Sequence, residues 1–296
     1  MEVGMSDGTK IDWCDATIQP VVGCDNSLPC AKRCYAKRLA HRLGGNPKTP
    51  QYAGLTESMQ RSAVRKWYDL PKPIHWTGEV RFNPAELTKP SRWRKARTIF
   101  VTSMGDLFHK AVKEEWLGQV LAMIYGSPQH TFVFLTKRER NMRSRLAAYY
   151  AECLPTGIPY PNLALGVSCS TQAEVDQRVL VLRDTPAACR FVSLEPMLEA
   201  VDLGDWLPWH HQDCGLPELS GIILGAETGP GARSMAPDWA RRVRDDCAAA
   251  GVPFFLKQLD AKKNRVLDGR THDDLPWEVR WKSTARPSIT SDTLVW

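Results

Sequence analysis

The chain lacks any run of about 18 apolar residues, the length a membrane span needs. Its first residues, MEVGMSDGTKIDWCD, lack the basic-then-apolar order of a secretory signal. It has no low-complexity segment and no internal sequence repeat. It has little imbalance of charge: 39 basic and 33 acidic residues leave +6, which permits an anionic partner such as nucleic acid without requiring one. These absences predict a cytoplasmic globular chain with no membrane partner. A disulfide framework is not expected either, since nine cysteines are an odd number in a long, non-secreted chain.

What is present is enough for a large core, with 43% hydrophobic residues. Short β-branched or aromatic runs recur at Glu79–Phe82, Thr98–Thr102, Thr131–Leu135, Asn162–Val167, Arg190–Leu194, Gly221–Leu224 and Pro253–Leu256. From Thr98 onward their starts lie 28 to 33 residues apart, the length of one strand, one helix and two loops. Each run is apolar throughout, as in strands buried on both faces of a parallel sheet. Helical patterns sit between them at Lys113–Tyr125, Glu174–Leu182 and Pro237–Ala250, the last stopped by Gly251. A further strand is expected near Thr17–Val22. The pattern predicts an α/β fold, a (β/α)8-like or partial parallel β/α barrel, with an open doubly wound sheet as the alternative. The barrel is expected over residues 1–260, with an insertion near 45–77, and a short ribbon and loose tail over 261–296.

Three of the nine cysteines crowd together. Cys24, Cys30 and Cys34 follow the first expected strand with the spacing C-x5-C-x3-C, in a loop over 23–35 that contains Pro29 and runs into the helix AKRCYAKRLAHRLGG. Thiolates suit iron–sulfur clusters and zinc. A structural zinc is closed by a fourth protein ligand, whereas a three-thiolate iron–sulfur centre leaves one iron open. Cys14, His41 or Cys214 could supply a fourth ligand. The alternatives are a zinc knuckle that pins the loop, or cysteines with no ligand at all. The loop after a barrel strand opens at the carboxyl end, where active sites of such barrels sit, and this favours a cluster.

Polar residues close nearly every expected strand: Asn83-Pro84; Ser103 to Asp106; Thr136-Lys137-Arg138; Ser168; Glu195-Pro196; Gly225-Ala226-Glu227; and Lys257-Gln258. Charged groups so near apolar runs are costly unless paired or functional. The candidate catalytic residues are Lys137, Glu195 and Lys257. The candidate cofactor-binding residues are Asn83, Ser103, Asp106, Ser168, Gly225 and Glu227. The loop Thr228 to Arg233 could cover the site or hold an anion.

The strings IDWCDATIQPVVGC, CYAKRLA, FVTSMGDLFH, HTFVFLTKR, RFVSLEPML, GIILGAETGPGAR and VPFFLKQ carry a resemblance that spans about residues 11–276. The chain resembles a family of phage and bacterial proteins of uncharacterised function marked by three N-terminal cysteines. That family looks like a divergent branch of the radical S-adenosylmethionine (SAM) superfamily. The resemblance implies an enzyme with a four-iron four-sulfur (4Fe-4S) cluster on Cys24, Cys30 and Cys34. SAM would be chelated at the open iron, and one electron from an external donor would yield a 5′-deoxyadenosyl radical. The superfamily's common spacing is C-x3-C-x2-C, from which this chain departs. The basic balance and the phage association point to a modified or damaged nucleic-acid base as substrate, with Arg92, Arg94, Lys95, Arg97, Arg138, Arg140 and Arg143 as anion contacts and Trp93 to stack on a base. A small molecule or peptide stays open. The reading of a different class is a zinc-stabilised, non-catalytic nucleic-acid-binding or phage/defence accessory protein.

Overall fold

A computed structural model describes residues 9–58, 73–153, 159–207, 219–229 and 231–278. The strands are β1 (Ala16–Ile18), β2 (Val21–Val22), β3 (Thr56–Ser58), β4 (Ile74–Trp76), β5 (Arg81–Phe82), β6 (Thr98–Val101), β7 (Thr131–Thr136), β8 (Leu163–Cys169), β9 (Cys189–Leu194), β10 (Gly221–Gly225) and β11 (Phe254–Gln258). The α-helices are α1 (Tyr35–Gly44), α2 (Glu114–Tyr125), α3 (Glu139–Cys153), α4 (Gln172–Arg183) and α5 (Pro237–Ala250). No helix among the described residues is long and apolar enough to cross a membrane.

Seven strands form one sheet in the order β1-β6-β7-β8-β9-β10-β11. The pairings from β7 to β11 are parallel. Each strand joins beside its predecessor, with no reversal of order. A doubly wound sheet reverses at a switch point, so the order is that of a partial parallel β/α barrel. Crossovers of one hand in an unreversed order set the helices on one face. β8, β9 and β10 are buried at every residue, which explains why their sequences do not alternate.

The chain divides into two compact units. Unit 1 takes Met1–Ala16, Lys95–Ile99 and Ile124–Trp296; unit 2 takes Thr17–Arg94 and Phe100–Met123. In unit 1, α5 starts with Pro237 at its first turn and ends at Gly251, whose φ of 68° is the left-handed conformation glycine accepts without strain. Thr171 caps α4 by accepting from the Glu174 N–H at 3.3 Å. Gly166 of β8 lies under the Phe191 ring of β9; a Cβ there would meet the ring at 2.2 Å.

Three expectations change. The Glu79–Phe82 run does not enter the main sheet. Only Arg81 and Phe82 extend, and they pair antiparallel with Val22 and Val21 in a two-stranded sheet. Pro84 follows at once and can donate no ladder bond. The first strand, expected over Thr17–Val22, is two strands broken at Pro20. The segment after Lys262 is also no loose end as far as residue 278. Trp277 is 1% exposed, packed edge-on against Phe191 at 5.3 Å and Trp13 at 5.9 Å. The insertion at 45–77 holds the antiparallel pair of β3 and β4; its residues 59–72, and residues 279–296 of the tail, lie outside the described residues.

Candidate functional site

In unit 2 the cysteine loop leaves directly from the chain that follows the first strands. Gly23 bridges Gly105 in parallel fashion, and its N–H donates to the Met104 carbonyl at 3.1 Å. A side chain at Gly23 would run into the Glu79 carbonyl at 2.2 Å, and φ there is +100°. The loop is then pinned twice. The Asp25 carboxylate accepts from His109 Nε2 at 2.9 Å and from the Ser27 N–H and hydroxyl. Because His109 Nδ1 accepts from the Ala111 N–H at 3.1 Å, the imidazole proton sits on Nε2 and points at Asp25. Asn26 exchanges two hydrogen bonds with the Trp76 backbone. Pro29–Arg33 form a 3-10 turn that carries Cys30, and Cys34 caps α1, its Sγ accepting from the Lys37 N–H at 3.4 Å. Cys24 and Cys34 pack on one apolar cluster with Val22, Ala40, Leu55 and Trp76, while Cys30 is exposed.

Ser103 and Asp106 lie beside this loop's departure point. Gln19 holds the first: its Nε2 donates to Ser103 Oγ at 2.7 Å, and its Oε1 accepts from the Ser103 and Met104 N–H groups. The Asp106 carboxylate accepts from the Phe108 N–H at 2.9 Å, closing a turn. The Asn83 N–H donates to the Pro20 carbonyl at 2.8 Å, and the residue precedes a 3-10 helix over Pro84–Thr88.

The remaining candidates belong to unit 1, at the carboxyl ends of parallel strands. Lys137 Nζ donates to Ser168 Oγ at 2.6 Å, and the Ser168 hydroxyl donates to the Glu195 carbonyl at 3.3 Å. The Glu195 carboxylate pairs with Lys257 Nζ and accepts from Gln258 Nε2 at 3.4 Å. Lys257 and Glu195 keep 21% and 23% of their side-chain surface, so the pair is reachable by a ligand. Gly225 sits under the Gln258 amide, which would lie 3.0 Å from a Cβ there. Glu227 is buried and takes a two-pronged bond from Arg233, Nε at 2.9 Å and Nη2 at 2.8 Å, plus the Arg233 N–H. That carboxylate holds the guanidinium's pKa above its ordinary value. Beside Ser168, burial pushes the Cys169 thiol up to about 12.

A family described as "Protein of unknown function (DUF5131)" matches residues 8–276. The chain belongs to the DUF5131 family. No curated protein matches it. Among solved structures, a mutant of spore photoproduct lyase gives a TM-score of 0.44 at 9% identity, covering 88% of this chain and 80% of that one. A score so low carries no argument about chemistry.

The DUF5131 chain brings together Lys137, Ser168, Glu195, Gly225 and Lys257, and separately Cys24 and Cys34. Glu227 is engaged by its own loop rather than by the Glu195–Lys257 pair. Among the described residues, no group of three or more His, Cys, Asp or Glu is placed to hold a metal ion. In donor chemistry alone, three thiols suit an iron–sulfur centre, whose usual ligands are thiolates. Three thiols share one short loop, and two of the proposed fourth ligands are engaged elsewhere. The Cys14 thiol donates to the Ile11 carbonyl, and both His41 nitrogens meet hydroxyls, of Thr56 at 3.0 Å and Ser58 at 3.3 Å. Cys214 lies outside the described residues. Sequence reasoning passed over Asp25, Asn26 and Gln19 as support for the loop. Asp25 adjoins a cysteine, which was the available signal.

Proposed function

We propose that this protein is a radical SAM-type enzyme, with a 4Fe-4S cluster on Cys24, Cys30 and Cys34. The observation that carries this reading is a three-thiol loop that leaves the first strands at Gly23 and is pinned by His109 and Trp76. The family resemblance read in the sequence supports it. When bound, the cluster and SAM would supply a 5′-deoxyadenosyl radical that takes hydrogen from a substrate. Ser103 and Asp106 lie within two residues of Gly105 in the loop's parallel bridge and, with Asn83, would bind SAM. Lys137, Glu195 and Lys257 would bind the substrate's polar groups and move a proton. A nucleic-acid base is the proposed substrate class, supported by the basic balance and by exposed Arg92, Arg94, Lys95, Arg140 and Arg143.

Anaerobic reconstitution tests the reading. The expected product is brown, holds about four irons per chain, and yields 5′-deoxyadenosine and methionine with dithionite and SAM. Alanine at Cys24, Cys30 or Cys34 abolishes both; alanine at Cys153 or Cys247 leaves them. A colourless protein that binds one zinc overturns the proposal and favours the non-catalytic zinc protein.

A further inference from the structure

We infer that the outer face of α1 and the 3-10 turn before it form a docking surface for an acidic electron-carrier protein. The inference rests on the proposed function, which needs an electron from outside.

The sequence behind this surface is unusual in charge. Between Asp25 and Glu57 there is no acidic residue, while Lys32, Arg33, Lys37, Arg38, Arg42 and Lys48 all fall there. The helix is sharply two-sided. Ala36, Leu39, Ala40 and Leu43 pack on the cluster that also receives Cys24 and Cys34. Lys37 turns inward and donates to the Ala31 carbonyl. Lys32, Arg38, Arg42 and Lys48 point outward and are exposed, and none of them has a carboxylate at ion-pair distance among the described residues. On α5, by contrast, Arg241 binds Asp238 and Asp268, Arg242 binds Asp202, and Arg244 binds Asp245 and Asp268. On α1 the counter-charge is left for a partner to bring.

Tyr35 adds a second, independent feature. It is 56% exposed, yet its position is fixed, because its hydroxyl donates to the Ser103 carbonyl at 2.8 Å. Tyr35, Arg38 and Arg42 follow one another at i, i+3 and i+7 and so share one stripe of the helix. Tyrosine and arginine are the residues that carry binding energy in protein interfaces. Cys34, the residue that caps this helix, is one of the three proposed ligands, so a protein seated on the stripe lies over the element that holds the cluster. In the exchange, one electron leaves the reduced carrier, which is oxidised by one electron, and enters the centre on the cysteines.

The charge selects an acidic partner, and the form selects a protein. A ten-residue helix is about 15 Å long, which suits the small, steered encounters of redox partners. A nucleic-acid strand favours a longer basic groove with several stacking rings, and this face offers one ring.

The test compares wild-type full-length protein with the triple variant Arg38→Glu, Arg42→Glu, Lys48→Glu, and with the milder Arg38→Gln, Arg42→Gln, Lys48→Gln. Circular dichroism verifies folding of each. The probe is flavodoxin, a small acidic flavin protein. Its binding is measured by calorimetry at about 50 mM and 500 mM salt, where screening differs severalfold. SAM cleavage is then measured with reduced flavodoxin and with dithionite. The expected result is binding weakened about tenfold or more by charge reversal and by high salt, a matching fall in flavodoxin-driven cleavage, and unchanged dithionite-driven cleavage. Equal binding by wild type and both variants overturns the inference, as does a wild type that does not bind flavodoxin. Loss of oligonucleotide binding in the variants, with flavodoxin binding intact, overturns it in favour of nucleic acid. Charge-dependent flavodoxin binding by a protein that cleaves no SAM with dithionite supports the surface and overturns the proposed function instead.

Discussion

His109 is 1% exposed, and its one ring proton is directed at the Asp25 carboxylate, one residue from Cys24. Removing the imidazole leaves that carboxylate without its nearest side-chain donor from outside the loop. His109→Ala is therefore expected to cost about 1.5–3 kcal/mol in urea unfolding, the range for a hydrogen bond to a charged group. It should also lower the iron retained after reconstitution, and His109→Gln, which restores an N–H donor, should recover part of both. Unchanged iron retention in His109→Ala would remove the pair from any role in placing the loop. The contrast between these residues and the cysteines shows what a sequence can display. Cys24, Cys30 and Cys34 announce themselves by local spacing. His109 meets Asp25 across 84 positions, and nothing local in either residue marks the partnership.

The same contrast holds for whole elements. β6 to β11 were legible because a strand covered on both faces is apolar at each position, and the 28-to-33-residue rhythm survives loops of unequal length. α3 carried no such signal. It buries Met142, Leu146 and Tyr150, a stripe one residue wide per turn, and its remaining surface is basic and polar. The Glu79–Phe82 run read as a sheet strand because a two-residue extension and a full strand share one composition. In the C-terminal ribbon, the His272 carbonyl accepts from the Leu256 N–H at 2.9 Å, and its ring packs on Phe254 at 5.5 Å. Burial first, then the charges of Arg270 and Arg244, hold its pKa below the usual histidine value. A lowered folded pKa means the unfolded chain takes the proton more readily. The stability this gives is complete above the unfolded value of about 6.5 and is lost as pH falls through the folded one. Urea midpoints measured from pH 7.5 to 5.5 should fall more steeply for wild type than for His272→Asn, and equal slopes would acquit His272.

Across the whole molecule, the cysteines sort by environment. Cys30 and Cys153 are exposed, whereas burial pushes the thiols of Cys169 and Cys247 up to about 12. The thiolate is the nucleophile. Iodoacetamide at pH 8 should label Cys30 and Cys153 of the apoprotein quickly and leave Cys169 and Cys247 until denaturant is added, as read by peptide mass mapping. Reconstitution with iron and sulfide should then shield Cys30 and not Cys153. Labelling of Cys30 at the same rate before and after would count against its place in the cluster.

Unit 1 is assembled from three separate stretches of chain, with unit 2 contributed from the gaps between them. The contact between Trp13 and Trp277 joins nearly the first and nearly the last described residues of unit 1. During synthesis, Trp13 must wait for its neighbour until residue 277 has been made. Pro276, which lies close over Gly221, arrives at the same late moment. This part of the core therefore has to stay open, with an indole and a phenyl ring wet, until Trp277 has been added. Long-range closure of that kind slows folding and prolongs exposure of apolar surface, which makes the nascent chain a natural client for a holding chaperone.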